Sequence, residues 1–266
     1  MKHLITGGAG FIGSNLIKRL ISFDEEIICL DNLQTGNISN IKPWLNHKNF
    51  TFIEHDLQNP IELSFDRAWH LACPASPYHY QKDPIDTPKT LFLVTYNCLE
   101  LSRKNNARFF FASSSEIYGN PSVHPQIEAY KGSLSGNSER SCYELGKRYG
   151  ESLCYDFSRV YNIDIRVARI FNTYGPNLLP NDGRAISNFI CQSLENRPIT
   201  IYGDGEQTRS FCYIDDLIEG MLTLMESNYS YPMNLGSEEE LKISELGKII
   251  TQKINPKIKI INLPIN

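Results

Sequence analysis

TGGAGFIGS, residues 6–14, decides the fold. Gly7, Gly10 and Gly13 follow directly on a short apolar run, KHLIT (2–6), and open a helical stretch over 11–23. Glycines let a backbone turn tightly and come close to a pyrophosphate, and a helix N-terminus supplies N–H groups and positive dipole. Strand, glycine turn and helix in this order make the first unit of a dinucleotide-binding, doubly wound parallel sheet. Asp31 closes the next apolar run, EIICLD (26–31). An acid there accepts hydrogen bonds from both ribose hydroxyls and repels a 2′-phosphate. The residues after it, NLQ, offer no arginine for that phosphate, so NAD is expected rather than NADP. Asp56, at the end of the third run, is a candidate for the adenine edge.

Further along, FTFIEHD (50–56), RAWHLA (67–72), RFFFAS (108–113) and DIRVARI (164–170) read as buried strands. Helical patterns separate several of them, over about 85–104 and 143–161. The expected class is α/β: a doubly wound parallel sheet (Rossmann) with a smaller interleaved C-terminal substrate lobe. After residue 171 the rhythm loosens into FNTYGPNLLPNDG, which is loop chemistry. Residues 1–170 are assigned to the NAD-binding domain, with 211–235 returning to it. Residues 171–210 and 236–266 are assigned to the smaller lobe, read as truncated at the C-terminus.

The chain has 266 residues, 41% of them hydrophobic, which suits one globular unit with a small second lobe. Net charge is −4 without a basic block, so no nucleic-acid partner is expected. No apolar run approaches the ~18 residues that span a bilayer, and no leader pattern opens the chain, so no membrane association is expected. Seven cysteines lack any CxxC pair, and the histidines lack ligand spacing. Reduced thiols, a cytoplasmic location and no metal follow.

Tyr143 and Lys147, in CYELGK, share a helix face at i, i+4. A lysine near a phenol favours the phenolate, as would a bound, positively charged nicotinamide. A tyrosine so tuned can take a proton from a sugar hydroxyl while hydride leaves for NAD. ASSSE (112–116) ends a strand where such sheets bind ligands, so Ser114 can bond the oxygen that Tyr143 deprotonates.

TGGAGFIG, the Tyr143/Lys147 pair and the strand-end serine together resemble the extended short-chain dehydrogenase/reductases that act on nucleotide sugars. HLACPASPYHYQKDP (70–84), ASSSEIYGNPSVHPQ (112–126), RSCYELGKR (140–148), RVARIFNTYGP (166–176), NDGRAISNFI (181–190) and GDGEQTRSFCYIDDL (203–217) are similar to the UDP-glucuronate decarboxylases of that family. The likeness runs from residue 2 to about 262. It implies decarboxylation of UDP-glucuronate to UDP-xylose through a 4-keto sugar, with a UDP-sugar substrate and a homodimer as assembly. Sister 4,6-dehydratases carry Asp-Glu where this chain has Ser115-Glu116, and Ser115 cannot serve as that acid. Glu116 and Ser115 are therefore expected to position the substrate carboxylate. The resemblance places Gly10, Phe11, Ile12, Asp31, Asn32, Thr35, Asp56, Leu57, Leu71, Thr90, Ala112, Tyr143, Lys147, Thr173 and Arg184 at NAD, and Asn172 and Arg209 near the diphosphate. The resemblance also puts Asn97, Arg103 and Lys104 on a helix that faces substrate or the partner subunit; read as residues, they are ordinary charges and polar groups of a solvated helix.

Two departures stand out. Leu91 and Val94 replace an asparagine and a glycine of the family's Thr-Asn-x-x-Gly-Thr, which implies a lost polar contact and tighter packing near the site. The family also continues beyond KIKIINLPIN (257–266) with an arginine-bearing segment that assists decarboxylation. Another arginine in that role, a nucleotide-sugar 4-epimerase, or a catalytically weak NAD- and UDP-sugar-binding homologue are the alternatives this leaves.

Overall fold

The computed structural model describes residues 1–180 and 182–264. Asn181, which opens the quoted NDGRAISNFI, and the last two residues of the expected lobe lie outside the described residues. In chain order the main elements are β1 (Lys2–Thr6), α1 (Phe11–Ile21), β2 (Glu26–Asp31), β3 (Phe50–Glu54), β4 (Arg67–His70), the short helix α2 (Pro77–Tyr80), α3 (Asp86–Asn105), β5 (Arg108–Ser114), α4 (Ser141–Tyr161) and β6 (Ile165–Ile170). Then come β7 (Thr173–Tyr174), α5 (Ala185–Leu194), β8 (Ile199–Tyr202), β9 (Thr208–Ser210), β10 (Cys212–Tyr213), α6 (Ile214–Glu226), β11 (Pro232–Leu235), β12 (Glu240–Lys242), α7 (Ile243–Ile254) and β13 (Ile260–Leu263).

Seven strands form one sheet in the order β11-β6-β5-β4-β1-β2-β3, every neighbouring pair parallel. This is the doubly wound Rossmann sheet expected from the glycine turn. Its strands are apolar on both sides because helices cover both faces. Alternation along β5 shows how: Phe110 packs with Leu16 and Ile17 of α1 and Met221 of α6, while Phe109 and Phe111 pack with Leu99 of α3 and Cys154 of α4. Helices α3 and α4 each stop on an asparagine in the left-handed region, Asn106 (φ 51°) and Asn162 (φ 59°). Asparagine tolerates that conformation better than most side chains.

Residues after β6 do two things. Ile186 and Phe189 of α5, Ile199 and Ile201 of β8, and Ile243, Leu246 and Ile250 of α7 form a separate small core. Helix α6 instead lies in the core with α1, and β11 extends the sheet beside β6. Strand ends differ from the sequence expectation in two places that matter to the site. Strand β3 stops at Glu54, so Asp56 stands on the loop beyond it. Strand β5 runs on through Ser114, because Ser113 and Ser114 still pair in register with Arg169 and Ile170. Among the described residues, no helix is long and apolar enough to cross a membrane. All seven cysteines are free.

Candidate active site

The carboxyl ends of β1, β2, β4, β5 and β6 lie level in register, and chain order reverses between β1 and β4. A cleft of about 560 Å³ opens there. Every site residue singled out in the sequence lines it, from Gly7 at one end to Arg209 at the other.

At the glycine end the backbone leaves no room for side chains. Gly7 has φ +71°, and a Cβ there would stand 2.8 Å from the Ala72 backbone. A Cβ on Gly13 would overlap the Gly7 carbonyl oxygen, so helix α1 can seat against the turn only as glycine. Asp31 is buried, and its carboxylate accepts from the Ala9 N–H at 2.9 Å and the Leu33 N–H at 2.8 Å. Burial pushes the Asp31 carboxyl up, and those two N–H groups draw it back. Gly36 lies against the same carboxylate. The nearby lining is Asn32, Gln34, Thr35, Asn40 and Asp56, with no lysine or arginine. Asp56 spends one oxygen on the Gln58 N–H and approaches Asn32 at 3.4 Å. Leu57 is buried, and Asn97 donates to its carbonyl at 2.7 Å, so Asn97 pins this loop. Arg103 pairs with Glu100 and Lys104 with Glu62 on the surface, as read from the sequence.

Below the cleft floor, His70 bridges Thr6 Oγ1 (2.8 Å) and Thr95 Oγ1 (3.0 Å), joining β1, β4 and α3. Thr6 also accepts from the Leu71 and Ala72 N–H groups. His70 is wholly buried; desolvation, with the nearby Lys147 charge, pulls its pKa down to about 3.

At the other end stands Tyr143, 4% exposed. Its ring stacks on Tyr80 at 4.8 Å and 7°. Leu91, Cys73 and Cys142 pack around the pair. Leu91 also fills the gap left by Gly146 of α4, where a Cβ would come within 2.5 Å of it. The residue that departs from the family pattern is thus an apolar wall beside the phenol. Burial pushes the Tyr143 phenol well above the ordinary tyrosine range, and Cys73 adds to it. A hydrogen bond with Ser114 and the Arg184 charge pull the other way. Lys147 is buried, donates to the Ala112 carbonyl at 2.7 Å, and lies 5.9 Å from the Tyr143 ring centre.

Ser115 and Glu116 begin a short 3-10 turn (Ser115–Tyr118) capped by Ser114, whose hydroxyl accepts from the Glu116 N–H. Glu116 ion-pairs with Arg140, and Arg140 Nε donates to the Tyr80 hydroxyl at 3.2 Å. Neither Arg140 nor Tyr80 was singled out in the sequence. Arg140 had a weak signal, one helical turn before Tyr143; Tyr80 had none. The adjacent Ser113 donates to Glu151, which is locked in a buried bidentate pair with Arg169. That pair anchors β5 to α4 and β6 beneath the reacting groups. Arg184 is held by Asp182, and Thr90 and Thr173 bond within their own segments, to Asp86 and Phe171. Asn172 sits after β6, its carbonyl accepting from Cys212 N–H, and Arg209 is exposed on β9.

Comparison with known proteins agrees with this architecture. The family model described as NAD dependent epimerase/dehydratase family matches residues 3–236. UDP-glucuronic acid decarboxylase 4 of Arabidopsis thaliana is 46% identical over 260 residues, 98% of this chain and 59% of that protein. UDP-glucuronic acid decarboxylase 3 of the same plant is 45% identical over 261 residues, 98% of this chain and 76% of that protein. The chain therefore spans about three-fifths of the first of these relatives. A UDP-glucuronic acid 4-epimerase from Bacillus cereus, solved with UDP-glucuronic acid and NAD, superposes with a TM-score of 0.86 at 30% identity, covering 99% of this chain and 86% of that one. Glycine turn, parallel sheet, strand-end serine and buried tyrosine all lie within the matched span, and the chain belongs to the NAD dependent epimerase/dehydratase family.

Proposed function

We propose that this chain is an NAD-dependent decarboxylase of UDP-glucuronate, forming UDP-xylose. The observation that carries the reading is the cluster at the end of β5: Tyr143 and Ser114 lining one cleft, with Ser115 and an Arg140-paired Glu116 beside them where the dehydratases place Asp-Glu. Relatives about 45% identical over 98% of the chain, named UDP-glucuronic acid decarboxylases, support it.

The glycine turn and Asp31 fit NAD: a cradle that excludes Cβ atoms, an acid at the expected ribose position, and, among the described residues, no lysine or arginine nearby for a 2′-phosphate. When bound, NAD supplies the hydride acceptor for carbon 4 and gives the hydride back in the last step. Tyr143 takes the proton of the 4-hydroxyl, and Ser114 orients that oxygen. The Lys147 ammonium on the same helix face, with the positive charge of the bound ring, would lower the phenol. Lys147, fixed on the Ala112 carbonyl, braces α4 against β5. The resulting 4-keto acid is a β-keto acid and loses carbon dioxide readily; Glu116 and Ser115 hold the carboxylate side while carbon 5 is reprotonated. Asn172 and Arg209 would hold the diphosphate, an arginine fork suiting phosphate. The separate apolar clusters support reading 1–170 with 211–235 as the cofactor unit and 171–210 with the rest of the chain as the substrate lobe.

Exposed Phe92, Tyr96, Tyr149 and Tyr161 on α3 and α4 support pairing of two copies through those helices, checked by sedimentation. Free cysteines throughout accord with a reducing, cytoplasmic setting.

The test is mass spectrometry of UDP-glucuronate incubated with the chain and NAD, with Tyr143→Phe as control. Loss of carbon dioxide, absent in the control, is expected. Loss of carbon dioxide and two hydrogens would mark a 4-keto pentose released before the final reduction. An isomer of unchanged mass would support the 4-epimerase reading, which the Bacillus cereus likeness favours. No conversion with ligand bound would refute both.

A further inference from the structure

We propose that Arg140 is a specificity-determining residue that reads the negative charge on the sugar. The inference rests on the uronate reading above. Among the described residues, four lysines and arginines line the cleft: Arg140, Lys147, Arg184 and Arg209. Lys147 is buried and committed to the Ala112 carbonyl. Arg184 is committed to Asp182. Arg209 stands on the opposite lobe, on β9, where its side chain bonds only the carbonyl of its own neighbour Thr208 among the described residues. Arg140 precedes α4 on the main wall, with Glu116 on one terminal nitrogen and Glu144 3.7 Å from its Nε; its side chain is 45% exposed, and the other terminal nitrogen bonds nothing among the described residues.

A UDP-uronate has two anionic ends, and the cleft has one available cation on each wall. The diphosphate suits Arg209, which leaves Arg140 for the carboxylate. A carboxylate entering beside Glu116 would meet a like charge. Arg140 offsets that charge, with one terminal nitrogen on Glu116 and the other free of hydrogen bonds among the described residues. The guanidinium is also pre-organised. Its Nε is held by the Tyr80 hydroxyl, and the Tyr80 ring is stacked on Tyr143. The fork is therefore placed at a set distance from the proton-transfer group. A planar guanidinium can hold Glu116, Tyr80 and an incoming carboxylate on three separate nitrogens, which a lysine's single ammonium cannot.

The experiment measures binding of UDP-glucuronate, UDP-glucose and UDP by calorimetry, with NAD present, in a Tyr143→Phe background so that turnover does not consume ligand. Arg140→Gln is expected to weaken UDP-glucuronate about tenfold to a hundredfold while UDP-glucose and UDP stay within about twofold. Retained UDP affinity shows that the variant is folded. Arg140→Lys is expected to fall between, keeping charge without the fork. Equal weakening of all three ligands overturns the proposal, as does unchanged uronate affinity. Carbon dioxide release by the chain with Tyr143 intact, followed in parallel, separates the two readings. Uronate discrimination lost in Arg140→Gln, without decarboxylation in the parent, would support Arg140 and sink the decarboxylase. Decarboxylation with uronate affinity indifferent to Arg140 would do the reverse.

Discussion

His70 ties the protein's stability to pH in a way that can be isolated. In the folded chain its pKa is pulled down to about 3, by burial first and by the Lys147 charge second. In the unfolded chain it returns to about 6.5. Between these values the unfolded state binds the proton and the folded state does not, so stability rises with pH across the window and is lost as pH falls. Integrated over one site, the loss is about 1 kcal/mol at pH 6 and about 2 kcal/mol at pH 5. The variant is His70→Gln, which removes the titration and disturbs the bridge between Thr6 and Thr95. It will be the less stable protein at pH 7.5. The assay is thermal or urea unfolding of both proteins from pH 7.5 to pH 5. The gap between them should shrink by about 2 kcal/mol, or roughly 4–8 °C in Tm for a chain of this size. His3, pulled down to about 4 by burial, titrates in both proteins and cancels in the difference. A gap that stays constant with pH would refute the reasoning, because His70 would then titrate alike in both states.

Other outcomes follow from the same geometry. Gly13→Ala should lose about 1–3 kcal/mol of stability and most of its NAD affinity, since the new methyl overlaps the Gly7 carbonyl; calorimetry with NAD and a melting curve check both. Leu91→Asn should cost about 1–3 kcal/mol in urea unfolding, because its amide would be buried in the apolar wall around Tyr143 and Tyr80; a neutral effect would mean that the wall already holds a polar partner. Arg184→Gln should move the acidic limb of the kcat/KM profile to higher pH, because Arg184 draws the Tyr143 phenol down and its loss lets the phenol rise; an unmoved limb would contradict that link.

Local pattern carried much of the fold. Continuous apolar runs such as RFFFAS marked strands covered on both faces, and glycine spacing marked the turn where the cleft opens. The i, i+4 spacing of Tyr143 and Lys147 put both in the cleft. Lys147 turns to the carbonyl of Ala112, 35 positions earlier, a partner no spacing rule names. Tyr80 reaches Tyr143, and Arg140 reaches Glu116, across stretches of chain with no shared period. Such contacts depend on how α2, the 3-10 turn and α4 meet at the sheet's edge. Leu91 shows the same limit: as a lone letter it read as a lost hydrogen bond, and only the facing Gly146 reveals it as packing.

The placement of α6 bears on how the chain is made. Leu16, Ile17 and Leu20 of α1 are covered partly by Ile214, Leu217, Met221 and Leu224, which lie roughly 200 residues later. At ~5–20 residues per second of synthesis, that interval is about 10–40 s. During it the six earlier strands can pair and cover one part of the first helix's oily side, but the part that α6 covers stays bare. A nascent protein in that state is a client for chaperones and a hazard for aggregation. Substitutions within α6 should therefore show first as lost yield at higher temperature, before any change in the finished molecule's chemistry.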